Sequence, residues 1–354
     1  MAIAAIVGRP NVGKSSIFNR ILGKRAAIVD DQPGVTRDRL YGEAEWAGKK
    51  FYIVDTGGIR SETEHPFMDL IEKQVDLAVD ESGVIIFVVD GKTGVTPTDA
   101  EIAHKLRRSG KPVVVAMNKL DSQNLEDAMI GEAYGLGFDE VVGVSAEHNT
   151  GFNELMDIVA SKLEDDEFDE DSDEIRVTLV GRPNVGKSSL LNAFAGEERS
   201  MVSDIAGTTR DVVDSVVELG GKKFRFLDTA GLRRKSRVNS ALEYYSNVRT
   251  YQAIDRCHVA LVLLDAQDLL TEQDKRLVGQ VLERGKGLVL VVNKWDLAPK
   301  EEKTGDVITK KLIEELPLAA HAPRVFISAL SGRSLGKLPE MILKVEENRR
   351  RRIP

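Results

Sequence analysis

The chain has 354 residues, longer than a single hydrophobic core ordinarily grows, so two domains are expected. Hydrophobic residues make up 42% and charged residues 30%, a balance that excludes a disordered or fibrous chain. The net charge of −8 is unevenly placed, because the run EDDEFDEDSDE over 164–174 holds nine acidic residues and the remainder sums to +1.

The first apolar run, 3–7, is too short to cross a bilayer, lacks a basic leader and runs straight into Gly8, so it reads as a buried strand. Further short β-rich runs follow at 51–54, 84–89, 113–117 and 141–144, and a helical pattern at 98–108. The acidic run repels itself, cannot bury a core and reads as an extended linker, giving domains at 1–163 and 175–354 joined by 164–174. Strand runs resume at 176–180, 224–227, 259–264, 289–292 and 325–327, with a helical pattern at 271–283. Strands alternating with helices predict an α/β fold, and near-continuous Val and Ile runs predict a mostly parallel sheet with both faces covered. The single cysteine, Cys257, excludes an intramolecular disulfide and fits a reducing, cytoplasmic setting. It reads as a small buried filler, and the five histidines (His65, His104, His148, His258 and His321) as incidental. A monomer without membrane association is expected.

The two halves repeat each other. GRPNVGKS occurs at 8–15 and again at 181–188, and the same offset of 173 relates Thr36 to Thr209 and Asp55 to Asp228. A repeat kept over tens of residues marks a duplicated domain rather than a short solenoid unit. In each copy a glycine-rich loop falls between a strand and a helix, where backbone N–H groups and the helix dipole meet phosphates. The candidate phosphate contacts are Gly8, Asn11, Val12, Gly13, Lys14, Ser15 and Ser16, with Gly181, Asn184, Val185, Gly186, Lys187, Ser188 and Ser189 in the second copy. The lysine reaches the terminal phosphates, and the hydroxyl of Ser15 or Ser188 is placed to ligate magnesium. DTGG follows β-rich residues at 55–58 and DTAG at 228–231: Asp55 and Asp228 are further magnesium candidates, and Gly58 and Gly231 offer an N–H to a γ-phosphate. Thr36 and Thr209 are candidate second hydroxyl ligands in segments that a triphosphate would order.

Base identity is read from NKLD (Asn118, Lys119, Asp121) and NKWD (Asn293, Lys294, Asp296). A carboxylate accepts from both N1–H and the exocyclic amine of guanine, whereas adenine offers neither donor, a discrimination of roughly 10⁴–10⁵. The lysine stem can lie over the base, and a backbone N–H of Ser145 or Ala146, or of Ser328 or Ala329, is a candidate for guanine O6. GTP or GDP with Mg2+ is the expected ligand set.

Tandem GRPNVGKS domains joined by an acidic linker resemble the Der (EngA) family of bacterial ribosome-assembly GTPases. The resemblance implies two P-loop NTPase (Ras-like) GTPase domains in tandem, a role in maturation of the large (50S) ribosomal subunit, and contact with that subunit and its rRNA. Family members carry a third, KH-like domain, which this chain, stopping at Pro354, is expected to lack. The residue after DTGG is Ile59 and that after DTAG is Leu232, neither able to orient water as a glutamine does in related switches. The resemblance implies potassium as the compensating charge, held by Asn11 and Asn184. Two classes stay open, a two-site GTPase and a nucleotide-gated ribosome- or RNA-binding scaffold with negligible hydrolysis. Basic groups at Arg233, Arg234, Lys235 and Arg237 are candidates for phosphate-backbone contact, and Arg349, Arg350, Arg351 and Arg352 for completing a helix end or leading into the missing domain.

Overall fold

The computed structural model describes residues 2–23, 41–58, 67–120, 123–164, 173–197, 201–206, 213–229, 240–298 and 304–351. Thr36, Asp121, Thr209, Gly231, the basic group 233–237, Arg352 and most of the acidic run lie outside them. The chain separates into two compact units.

In the first unit, β1 (Ala2–Val7), β2 (Tyr41–Trp46), β3 (Lys49–Asp55), β4 (Val84–Asp90), β5 (Val113–Asn118) and β6 (Val141–Val144) form a sheet in the order β2-β3-β1-β4-β5-β6. Among the described residues of this unit only the β2–β3 pairing is antiparallel. Every residue of β4 and β5 is buried, because alternate side chains enter cores on opposite faces of the sheet. Ile86 and Val88 pack with Phe18 and Leu155 on one face, while Ile85, Phe87 and Val89 pack with Ile102 and Leu106 on the other.

The second unit repeats the plan with β7 (Ile175–Val180), β8 (Met201–Ala206), β9 (Val213–Leu219), β10 (Lys222–Phe226), β11 (Val259–Asp265), β12 (Gly287–Asn293) and β13 (Arg324–Phe326). Their order is β13-β12-β11-β7-β10-β9-β8, with parallel pairing from β13 through to β10 and antiparallel pairing of β9 with both β10 and β8. All ten expected strands are present, and the helical patterns become Pro97–Ser109 and Glu272–Glu283. Strands β2, β8 and β9 were not expected. They lie on the antiparallel side of each sheet, and β2 reads YGEAEW with charged residues at alternate places, so it lacks the apolar run that marks a strand buried on both faces. Among the described residues no helix is long and apolar enough to cross a membrane.

Cys257 is the buried filler expected, its thiol pushed up to about 12 chiefly by burial. His258 is not incidental. Its Nδ1 accepts from the backbone N–H of Arg176 (3.2 Å) and lies 3.9 Å from the carboxylate of Glu346, and its Nε2 sits 2.8 Å from the Arg176 guanidinium. Glu346 is buried on helix Lys337–Arg350 and takes Arg349 and Arg350 at 2.7 Å each, so these arginines do finish a helix end.

Burial, reinforced by Arg176, holds the His258 pKa down to about 4 against an ordinary 6.5. Below pH 6.5 the unfolded chain therefore binds a proton that the folded chain refuses. Stability from this contact is complete above pH 6.5 and is lost as pH falls toward 4, by on the order of 1–2 kcal/mol after solvent screening. Urea midpoints of the wild type between pH 7 and 4.5 should fall more steeply than those of His258→Gln.

Candidate nucleotide sites

Both glycine-rich loops sit between a central strand and the helix after it, at the carboxyl edge of the sheet where open α/β folds bind ligands. Helix Lys14–Leu22 starts at Gly13 with no side-chain cap and no acidic residue in its first turn, which leaves its first N–H groups to an anion. The first turn of helix Lys187–Glu197 likewise carries no acidic residue. Asn11 (φ 66°) and Asn184 (φ 63°) both adopt the left-handed conformation, so the two loops bend alike.

Lys14 Nζ donates to the carbonyls of Gly8 (2.7 Å) and Arg9 (2.9 Å), and Lys187 Nζ to those of Gly181 (2.5 Å) and Arg182 (2.8 Å). An ammonium carries three donors, so two shape the loop and one remains for a phosphate oxygen. Burial lowers the pKa of each lysine to about 8, Asp55 opposing that shift at Lys14. A buried cation this poorly neutralised favours a polyanion beside it.

Ser15 Oγ donates to Asp55 Oδ2 at 2.6 Å, while Asp55 Oδ1 accepts from the N–H of Gly57 at 2.8 Å. Hydroxyl and carboxylate are thus together where a hard divalent ion needs oxygen ligands, and this donor set fits Mg2+. The second copy differs. Asp228 takes a left-handed φ of 53°, its N–H donates to Asp214 Oδ1 (3.2 Å), and its carboxylate lies 3.9 Å from Arg249. Thr56 donates to the carbonyl of Ile6 (2.7 Å), whereas Thr229 pairs with the hydroxyl of Ser215 (3.0 Å).

The asparagines of NKLD and NKWD are held by hydrogen bonds within the protein. Asn118 Nδ2 donates to the Val12 carbonyl (2.9 Å) and its Oδ1 accepts from the N–H of Ala146 (3.1 Å), binding the phosphate loop to the loop after β6. Asn293 does the same between Val185 (2.8 Å) and Ala329 (2.9 Å). In each unit this amide ties the glycine-rich loop to the loop after the last parallel strand. The N–H groups proposed for guanine O6 are engaged too: Ser145 and Ser328 donate to the carbonyls of Thr150 and Arg333, so recognition of O6 by these residues requires a shared donor. Lys119 Nζ donates to Asn11 O and Asp90 Oδ2, both at 2.6 Å, and Lys294 Nζ to Asp265 Oδ2 at 2.6 Å. Burial alone would raise the pKa of Asp90 and Asp265, but hydrogen bonds from these lysines and neighbouring backbone N–H groups bring both below the ordinary value. These two aspartates escaped the sequence reading. Their signal was a carboxylate ending β4 and β11 at the same offset as Asn118 and Asn293.

Gly13 (φ 96°) and Gly186 (φ 101°) are required by the asparagines, since a Cβ at either would strike the amide nitrogen of Asn118 or Asn293. Gly186→Ala should destabilise the second unit by about 2–4 kcal/mol, from strained backbone and a broken buried hydrogen bond. The check is an early urea transition in the full chain.

A family model described as 50S ribosome-binding GTPase matches residues 3–119 and again 176–294. The protein called GTPase Der in Clostridium tetani is 48% identical over 352 residues, which cover 99% of this chain and 80% of the relative. That of Caldicellulosiruptor saccharolyticus is 49% identical over the same lengths. The chain belongs to the Der family of GTPases. Among solved structures it is similar to a variant of Aquifex aeolicus Era bound to GDP·AlF4−, 20% identical over 93% of both chains with a TM-score of 0.38.

Membership in the Der family makes this a guanine-nucleotide-binding, GTP-hydrolysing chain with one nucleotide domain per half, and does not favour a scaffold without hydrolysis. The expected fold, two mostly parallel sheets flanked by helices, stands, with β2 added to the five expected strands of the first sheet and β8 and β9 to those of the second.

Proposed function

We propose that the chain is a two-site switch in which each half binds GTP with Mg2+, hydrolyses it and changes its hold on the large ribosomal subunit and its rRNA. The observation that carries this reading is the arrangement built twice, with a lysine ammonium on its own loop's carbonyls and an asparagine tying that loop to the base side. The division into domains at 1–163 and 175–354, joined by the acidic linker, belongs to the same reading.

In the first site, Lys14 neutralises the terminal phosphates, Ser15 and Asp55 hold Mg2+ with Thr36, and Gly58 offers its N–H to the γ-phosphate. Asp121 and Lys119 take the guanine, within the frame set by Asn118, Ser145 and Ala146. In the second, Lys187, Ser188, Thr209, Asp228 and Gly231 act on the phosphates and Mg2+, and Asp296 and Lys294 on the guanine, within the frame of Asn293, Ser328 and Ala329. Gly8, Val12, Gly13 and Ser16, with Gly181, Val185, Gly186 and Ser189, form the two cradles. Magnesium held by these oxygens would neutralise charge on the phosphates.

Hydrolysis needs positive charge where the transition state accumulates negative charge. Asn11 and Asn184, exposed on left-handed turns of the two loops, are the residues that would hold potassium as that charge. GTP turnover should be at least about tenfold faster in potassium than in sodium at equal ionic strength, a gain within reach of one stabilising charge. Equal rates would remove potassium from the reading and leave the rest. No phosphate release in either salt, with or without large ribosomal subunits, would overturn hydrolysis itself. Co-sedimentation with those subunits in GTP but not GDP is the expected partner result.

A further inference from the structure

An arginine two places into a phosphate loop invites reading as one more phosphate contact. The structure turns it away. Arg9 Nε donates to Asp99 Oδ2 at 3.1 Å and its NH2 to the Thr93 hydroxyl at 2.5 Å. Asp99 is completely buried, and its Oδ2 also accepts the N–H and hydroxyl of Thr96, closing the capping box of helix Pro97–Ser109. A buried carboxylate left without its cation is costly, so the pair holds the guanidinium in one place.

The second unit builds the same contact from different neighbours. Arg182 Nε lies 3.0 Å from the completely buried Asp274, which caps helix Glu272–Glu283 through Thr271. Its remaining nitrogens go to the side chain (2.6 Å) and carbonyl (2.5 Å) of Asp268, where the first unit uses Thr93. The arginine–aspartate pair is constant while the partner beside it has changed from a hydroxyl to a carboxylate.

What the pair fixes is the backbone of the arginine, and the carbonyls of Arg9 and Arg182 are two of those that hold Lys14 and Lys187. The far side of the clamp reaches the base. Asp90, which takes Lys119 through Oδ2, uses Oδ1 to accept the N–H groups of Lys92 (2.9 Å) and Thr93 (3.4 Å), and Thr93 is the residue whose hydroxyl meets Arg9. In the second unit Asp265 takes Lys294 and the N–H of Gln267 (3.0 Å), next to Asp268. In the first unit hydrogen bonds thus link Lys119 to Lys14 by way of Asp90, Thr93 and Arg9, and in the second the path from Lys294 to Lys187 crosses the chain between Gln267 and Asp268.

We propose that Arg9 and Arg182 are positioning residues that touch no phosphate, lock each loop to a buried helix cap and so keep the base and phosphate halves of the site in one frame, which slows GDP release. This rests on the nucleotide-site reading above. Preorganisation of this kind acts on retention of ligand more than on the chemical step.

The test uses the full chain carrying Lys187→Ala, so that only the first site is observed, and fluorescent GDP as the probe. Arg9→Ala should speed GDP release about 10- to 100-fold and raise KM for GTP about tenfold with kcat altered less than about threefold. Asp99→Asn should do the same, the double variant should be no worse than either single one, and Arg9→Lys should recover part of the loss. Thr96→Ala breaks the capping box and leaves Arg9 and Asp99 in place. It should lower the unfolding midpoint without changing GDP release. Unchanged GDP release in Arg9→Ala, or the same acceleration in Thr96→Ala, would overturn the positioning role. Absence of GDP binding by the unmodified chain would instead overturn the nucleotide-site reading.

Discussion

Lys14→Ala should bind one guanine nucleotide per chain where the unmodified chain binds two, and Lys187→Ala should do likewise. Each ammonium already spends two donors on its own loop, so its removal takes away the charge facing the phosphates and also slackens the loop. Losing a charge-assisted contact of this kind weakens binding on the order of 100- to 1,000-fold, about 3–4 kcal/mol, enough to empty the site in a micromolar titration. Titration calorimetry with GDP gives the count directly. Loss of both sites from either single change would contradict two independent sites, and retention of both would remove the lysines from them.

Asp296→Asn should exchange the base rather than abolish binding. The carboxylate accepts from two guanine donors. An amide presents one acceptor and one donor, leaving the exocyclic amine facing N–H. Xanthine carries a carbonyl at that carbon, which the amide donor satisfies. Affinity of the second site for GTP should fall by about 10³-fold or more while affinity for XTP rises, because a mismatched polar group costs both its lost bond and its desolvation. Asp296 lies exposed on the short 3-10 turn Trp295–Leu297, so the substitution leaves the core untouched. Unaltered purine preference in this variant, measured by competition of labelled GTP with XTP and ATP, would take base reading away from Asp296.

Much of this was open to inspection in the sequence because its physics is local. A glycine-rich loop between an apolar run and a helix, repeated at a fixed offset, places Lys14 and Lys187 before any coordinate is known. Buried strands betray themselves by continuous Val and Ile, and all ten such runs became strands. What stayed hidden depends on distant partners. Nothing in the sequence around Asn118 shows that its amide meets Val12, 106 positions away. Arg9 drew no reading from the sequence, because its partner Asp99 lies 90 positions on and is buried beside it only in the fold. Strands β2 and β8 escaped because an edge strand does not need the continuous apolar run of one covered on both faces, and β9 because Asp214 and Ser215, though buried, interrupt its apolar run. His258 escaped because a histidine's role is set by what packs on it, here Arg176 and Glu346.

The unlike settings of Asp55 and Asp228 bear on timing. The first carboxylate rests on Ser15 and the second lies 3.9 Å from Arg249, so a metal ion arriving at either would meet an acid with a different resting partner. A polypeptide with two such clocks has four combinations of triphosphate and diphosphate, and clocks that start at different rates visit them in a preferred order. Order confers direction, which a single on–off device lacks, and direction is what an assembly step needs if it is not to run backwards.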